Sequence, residues 1–306
     1  MHDLASFSRR RLIHAALAPL AAVAIAGATP HAVAQDVDLG LNVDFSTWEL
    51  MGDASVFSLN FPGIGTSSYL QLTAPGVGDQ VGGAYAPAPL ALDFNAPFQI
   101  RYWFYVVHGG VVQGDGMSFF MTGSAPTLGS GGSDLGYGGS GMNGWAFAVD
   151  TFNFDGEPQA VSVQILGDGD VTPIAYTETG LADIQPLDYF QWQAKVSYTP
   201  SGLEDETGAL SFSIHQFVTD QTYTVTLDGV DWSSVAIDLY DGESNFLGRG
   251  IHIGFTAANG LADDGHILSS LTLAPIPEPH SWAMLLAGLG VVGQLARRRL
   301  RDGVGG

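Results

Sequence analysis

The feature that most constrains this chain is a rhythm with no helix in it. Across residues 35–273, short aromatic and β-branched runs alternate with clusters of Gly, Pro, Asn and Asp. No long segment repeats its apolar residues every 3.6 positions, as an amphipathic helix would. The rhythm predicts an all-β chain, and about 240 residues is ample for one sandwich core. Phe98–Val107 shows it most plainly, with Phe98, Ile100, Tyr102, Phe104 and Val106 on one face. Residues 191–198, 209–217 and 222–227 alternate likewise. There is no cysteine, so no disulfide can staple the fold and a single large core must hold it. No repeat or internal linker interrupts the body; residues 274–279 are its linker-like end.

The body is organised around residues 114–155. Residues 117–122 and 145–151 are apolar and aromatic, of strand length, and read as a buried pair. Asp115 stands just before the first and Asp150 near the end of the second. Between them, residues 129–144 are so rich in Gly and Ser that the expectation is a loop with no core of its own. Carboxylates at the rim of a buried pair, beside flexible backbone, suit a metal and a polar ligand.

Both ends read as targeting segments. Ser8-Arg9-Arg10-Arg11-Leu12-Ile13 precedes an apolar run over 12–27 and an Ala32-Val33-Ala34 cleavage signature, predicting an export signal over 1–34. The arginines fit a twin-arginine signal as well as a Sec signal. At the other end, Pro277-Glu278-Pro279 is followed by an apolar run over 282–296 and then Arg297-Arg298-Arg299-Leu300-Arg301. About fifteen apolar residues make a short membrane span, and the arginines would hold the C-terminus inside. This trio resembles a PEP-CTERM sorting signal over 275–306. The resemblance implies an exosortase-type transpeptidase as partner, a membrane-anchored precursor, and delivery to the cell surface or extracellular matrix.

Setting both ends aside changes the electrostatics. Arg101, Lys195 and Arg249 remain of ten basic residues, while the 31 acids lose only Asp3, Glu278 and Asp302. A body near −25 repels nucleic acid and anionic membrane surfaces, which excludes both as partners by charge, and it tolerates divalent cations.

The central stretch resembles the L-type (legume-type) lectins. Gly114-Asp115-Gly116-Met117-Ser118-Phe119 resembles their sugar-binding Asp motif, and Gly131-Gly132-Ser133-Asp134-Leu135-Gly136 their glycine loop. Val149-Asp150-Thr151-Phe152 is similar to their metal strand, and residues 253–264 to the segment that opens their variable loop. Residues 52–54, 70–73, 83–87 and 193–198 resemble further strands, so the likeness covers nearly all of 35–274. It implies a concanavalin A-like jelly roll that binds carbohydrate without catalysis. Its sugar site would comprise Asp115, Gly131 or Gly132, Asn153, Asn259 and Gly260, with a ring from Phe152 or Tyr137. It also implies a cis Gly114–Asp115 peptide, and calcium held by Asp150, the Phe152 carbonyl, Asn153 or Asp155, and Asp183. The family's fourth metal position is Phe154 here, a departure, and Glu157 stands where plant members often carry another acid. The family's transition-metal site needs a Glu and a His where this chain has Ala148 and, roughly, Ala160, so no such site is expected.

Two other classes remain. Laminarinase-type hydrolases share the sandwich but use a Glu-x-Asp-x-x-Glu strand, since retaining hydrolysis needs two carboxyls about 5–5.5 Å apart. No such strand occurs, and Glu204-Asp205-Glu206 reads as a solvated turn. His108, His215, His252 and His266 lie in no Ser or Cys motif, and His266 reads as a surface residue near the late loop. The other class is a structural jelly roll of the exopolysaccharide matrix with a decayed sugar site, which Phe154 favours.

Overall fold

The computed structural model describes residues 43–61, 65–110, 112–154, 156–182, 184 and 192–275. The expected export segment, most of the sorting signal, Asp155 and Asp183 lie outside them. Among the described residues no helix is long and apolar enough to cross a membrane.

Sixteen strands run through the described residues. The first eight are β1 (Glu49–Gly52), β2 (Ser55–Phe61), β3 (Gly65–Thr73), β4 (Val81–Tyr85), β5 (Leu90–Ala91), β6 (Phe98–Val107), β7 (Gly116–Thr122) and β8 (Gly144–Asp150). Then come β9 (Ser162–Gly167), β10 (Asp170–Glu178), β11 (Trp192–Pro200), β12 (Thr207–Gln216), β13 (Gln221–Asp231), β14 (Ile237–Tyr240), β15 (Phe246–Ala258) and β16 (Gly265–Pro275). One sheet runs β1-β4-β15-β7-β8-β9-β10, with β5 and β14 also paired to β15; the other runs β13-β12-β11-β6-β16-β3-β2. The result is an all-β antiparallel sandwich.

Alternation decides which residues meet between the sheets. Ile100, Tyr102 and Phe104 of β6, Ala194 and Val196 of β11, and Phe212 of β12 turn inward from one sheet. Met117, Phe119, Phe147 and Phe255 meet them from the other. Ring centroids lie 5.0 Å apart for Tyr102–Phe255, 5.1 Å for Phe119–Phe255 and 5.6 Å for Phe147–Phe212. With no disulfide, this aromatic interior carries the stability, since each such ring removes a large apolar area from water.

β7 is buried along its whole length and β8 along nearly all of it, which corrects the expectation for the glycine-rich loop. Leu135, Tyr137 and Met142 of that loop are buried, and with Phe120, Ala146, Ala148 and Leu166 they form a second, smaller core. The loop therefore covers the outer face of the sheet. Its turns close on backbone bonds such as Gly129 N–H to Gly136 O (2.7 Å) and Tyr137 N–H to Asp134 O (2.8 Å).

Register fixes where the chain ends of the first sheet emerge. Val81, Ala258, Gly116, Asp150 and Ser162 stand opposite one another in a single row across β4, β15, β7, β8 and β9. Every segment that continues past this row leaves the sheet at the same end.

Candidate functional site

The row delivers residues 79–81, 115, 152, 154 and 260–262 to one place, and the glycine loop adds 131–133. Together with Val112 they line a cleft of about 530 Å³. Asp115 lies in it with only 7% of its surface exposed. Its backbone is pinned on both sides: its N–H donates to Ala258 O (3.0 Å) and its carbonyl accepts from Thr151 N–H (2.8 Å). The Gly114–Asp115 peptide is cis. Gly114 has φ +139°, and a Cβ there would meet the Phe152 Cβ at 2.8 Å, so the alanine usual in the resembled motif does not fit this chain.

The Asp115 Oδ2 atom is buried and takes no hydrogen bond from the protein. A buried carboxylate oxygen without a donor is costly, so an acceptor held open in this way is set up for a ligand's donor or a cation. Burial pushes the Asp115 carboxyl up to about 6, with Glu157 and Asp264 adding to the rise. Glycines make room for this oxygen: a Cβ on Gly260 would stand 2.5 Å from it, and one on Gly132 3.9 Å. The rim is apolar. Val112, Phe154 and Leu261 are exposed there, Leu261 almost fully, and Phe152 lines the wall.

Asp150 sits at the end of β8, 5% exposed. Its Oδ1 accepts from Phe152 N–H (3.1 Å) and its Oδ2 from the Gln164 amide (2.8 Å), which also donates to Ser162 Oγ (2.8 Å). Burial raises its carboxyl to about 7, the charge of Glu157 adds to that, and these two donors oppose it. Glu157 accepts from Phe154 N–H (2.9 Å). Among the described residues no group of three His, Cys, Asp or Glu side chains is assembled to hold a metal. The residues present still fit a hard cation. Burial and the charge of Glu157 hold the carboxyls of both Asp115 and Asp150 up, Asp115 adds to the rise at Asp150, and one Asp115 oxygen lacks a partner. On the β9 side, the Gln164 amide already occupies Asp150 Oδ2.

The structure thus brings Asp115, Gly131, Gly132, Gly260 and Phe152 to one cleft and corrects four other expectations. Asn259 turns inward: it is fully buried, its Oδ1 accepts from Gln80 N–H (2.8 Å), and its amide donates to Val77 O (2.6 Å) and Asp264 O (3.1 Å). It therefore holds the loop, with both amide hydrogens spent and its side chain closed off from a sugar by burial. Tyr137 is buried in the second core, where its hydroxyl accepts from Gly169 N–H (3.1 Å). Asn153 is exposed and does not line the cleft. His266 is fully buried, its Nδ1 paired with the Thr73 hydroxyl (2.8 Å), and burial holds its imidazole down at about 3. Away from the cleft, Glu206 is not solvated either; it lies 3.5 Å from Arg249, mostly covered.

Sequence reasoning missed Asp264. Its Oδ1 lies 2.6 Å from His108 Nδ1, and its Oδ2 accepts from Gly114 N–H (2.9 Å). It also missed the pocket residues Asp79 and Gln80; the Asp79 N–H donates to Gly260 O (2.5 Å).

Comparison with solved structures decides the architecture. Basic winged bean lectin, solved with Tn-antigen, matches with a TM-score of 0.57 at 20% identity, over 74% of this chain and 92% of that one. The fold is the legume-lectin sandwich. The Lotus tetragonolobus seed lectin matches with a TM-score of 0.56 at 18% identity, over 78% and 96%. The Bauhinia forficata lectin, solved with GalNAc, matches with a TM-score of 0.57 at 18% identity, over 76% and 95%. Residues 275–301 match the family model of the PEP-CTERM protein-sorting motif, which marks an exported protein sorted to the cell envelope. Among curated proteins none matches the chain.

Proposed function

We propose that this chain is an exported, surface-sorted protein that binds carbohydrate without catalysis, in the cleft around Asp115. One observation carries the reading: a buried, unpartnered carboxylate oxygen at the floor of a cleft walled by glycine backbone and rimmed by apolar side chains. A pyranose presents hydroxyl donors and weakly apolar faces, and this combination answers both. Asp115 accepts from sugar hydroxyls, the Gly131–Gly132 backbone supplies polar contacts, and Phe152, Phe154 and Leu261 cover the ring. The winged bean and Bauhinia lectins, solved with Tn-antigen and GalNAc, lend the reading support by fold.

Calcium belongs to the same proposal. Asp150 and the Phe152 carbonyl would hold it, with Asp155 and Asp183 from outside the described residues and Glu157 in reserve. When bound it neutralises the carboxylates behind the cleft. The partners are then a glycan or exopolysaccharide, the sorting enzyme acting at Pro277-Glu278-Pro279, and the membrane through the C-terminal apolar run. A glycan array probed with and without a chelator tests the reading: binding that Asp115→Ala removes supports it. A blank array with the protein folded would leave the matrix-structural reading, which the exposed Phe154 at the fourth metal position favours.

A further inference from the structure

Behind the cleft lies a buried polar knot that the ligand reading does not use. Asp264 is its hub and is fully buried. Its two carboxylate oxygens are divided, one to the His108 ring at 2.6 Å and one to Gly114 N–H at 2.9 Å. Its backbone carbonyl accepts from the Asn259 amide (3.1 Å) and from the Thr73 hydroxyl (2.8 Å). Gly114 carries the peptide to Asp115, and Asn259 precedes Gly260. One residue therefore grips both walls of the cleft.

We propose that Asp264, paired with His108, is the positioning residue of this site, setting the Asp115 backbone and the Gly260 wall relative to each other. Stability alone is a poor explanation for it. Buried ion pairs contribute little net stability, and an apolar pair of similar volume usually serves a core as well. What an apolar side chain cannot do is accept from Gly114 N–H on one wall; the backbone carbonyl of residue 264, which any residue supplies, already accepts from the Asn259 amide on the other. One other hydrogen bond joins the walls: Asp115 N–H donates to Ala258 O, next to Asn259, while Asn259 Oδ1 accepts from Gln80 N–H. Asp264 adds a second, from 114 to 259.

Several ionisable groups face this pair. His266, whose ionisation His108 opposes, is buried beside it, and the Asp263 carboxylate lies against Gly110. Asp115 feels the charge of Asp264 across the cleft floor. The inference rests on reading the cleft as the ligand site, but its test does not need a ligand.

The test is amide hydrogen exchange on the full chain, scored as protection factors for wild type, Asp264→Ala and Asp264→Asn. Asp264→Ala should expose the Gly114 amide, which loses its acceptor, and the Asp115 amide, whose bond to Ala258 O crosses from one wall to the other, each by about tenfold or more, with β11 and β12 unchanged. Asp264→Asn separates positioning from simple folding. Its Oδ1 can still accept from Gly114, and its amide can donate to a neutral His108 at about pH 8. At about pH 5 the imidazolium has no acceptor to offer, so protection at both amides should fall about tenfold in this variant and not in wild type. A parallel profile for Asp264→Asn and wild type, or exposure of the Gly114 amide with the Asp115 amide still protected, overturns the proposal. Binding to immobilised galactose, glucose and mannose is measured alongside. Failure of wild type to bind any of them counts against the carbohydrate reading and leaves the exchange result to judge Asp264.

Discussion

Replacing Gly260 by alanine is the sharpest probe of the cleft. The added Cβ would stand 2.5 Å from Asp115 Oδ2 and 3.2 Å from Gly132 Cα, where ordinary contact needs 3.4–4 Å. The carboxylate has to retreat by about 1 Å, because the glycine wall behind the new methyl group is backbone. Residue 260 also has φ +43°, a conformation that costs an L-residue with a Cβ about 1–2 kcal/mol. For a domain of this size that corresponds to a melting shift of roughly 2–8 °C downward. The effect on binding should be larger. A hydrogen bond to a charged acceptor contributes about 1.5–3 kcal/mol, and each 1.4 kcal/mol is about tenfold in affinity. Gly260→Ala should therefore weaken sugar binding by roughly 10- to 100-fold in a titration run well below its melting point. Wild-type affinity in the folded variant would refute the argument, since Asp115 Oδ2 would then not be the ligand's acceptor. Loss of binding only where the variant has melted would refute it equally.

Other outcomes follow from the same geometry. Asp115→Ala should abolish glycan binding while leaving the melting temperature unchanged or slightly raised, because the oxygen it removes has no partner in the fold; calorimetry reads both. Asp115 and Asp150 are pushed up to about 6 and about 7, above their unfolded values, so the folded state binds protons more readily. Their contribution is fully present below about pH 4 and is lost as pH rises through about 6–7. Without divalent cations these two groups should therefore raise the melting temperature as pH falls from about 8 to about 5, against the opposing pull of buried His266, and Asp150→Asn should flatten the slope. Calcium should act in the opposite sense, since it needs the ionised carboxylate. Its stabilising shift should be largest at about pH 8 and fade by about pH 5, and titration calorimetry with no calcium heat at about pH 8 would refute the cation site. Gln164→Leu, which strips a buried donor from Asp150 Oδ2, should destabilise by about 1–3 kcal/mol in a denaturant titration.

Much of the fold was legible because alternation is a local signal. β6, β11 and β12 announce their inner faces residue by residue, and the boundaries of β7 and β8 fall within one residue of the apolar runs that predicted them. The loop-borne parts were harder to read. Leu135, Tyr137 and Met142 are three apolar residues scattered among glycines, with no period to reveal that they share one surface. Asn259 reads as a binding residue by its place in a motif, yet whether its amide faces in or out depends on Gln80, 179 positions away. His108 and Asp264 are separated by 156 residues, and no pattern in either neighbourhood points at the other. Long-range polar pairing is set by where loops cross, which the register of the sheet decides and a sequence window does not contain.

The second core beneath the glycine loop bears on the thermodynamics of recognition. A loop this rich in glycine would ordinarily lose much conformational freedom when it closes on a ligand, and that loss would be subtracted from affinity. Here Leu135, Tyr137 and Met142 are clamped against β7, β8 and β9 in the free protein, so the ordering has already happened during folding. The wall proposed to meet a ligand is glycine backbone, small enough for close approach, while its reverse side is riveted by aromatic and aliphatic packing. Association should then be lock-and-key in character, with little structural change and a modest entropic penalty. Loosening the rivets, as in Tyr137→Ala, should slow productive encounter and shorten residence time although no atom of the binding wall is altered.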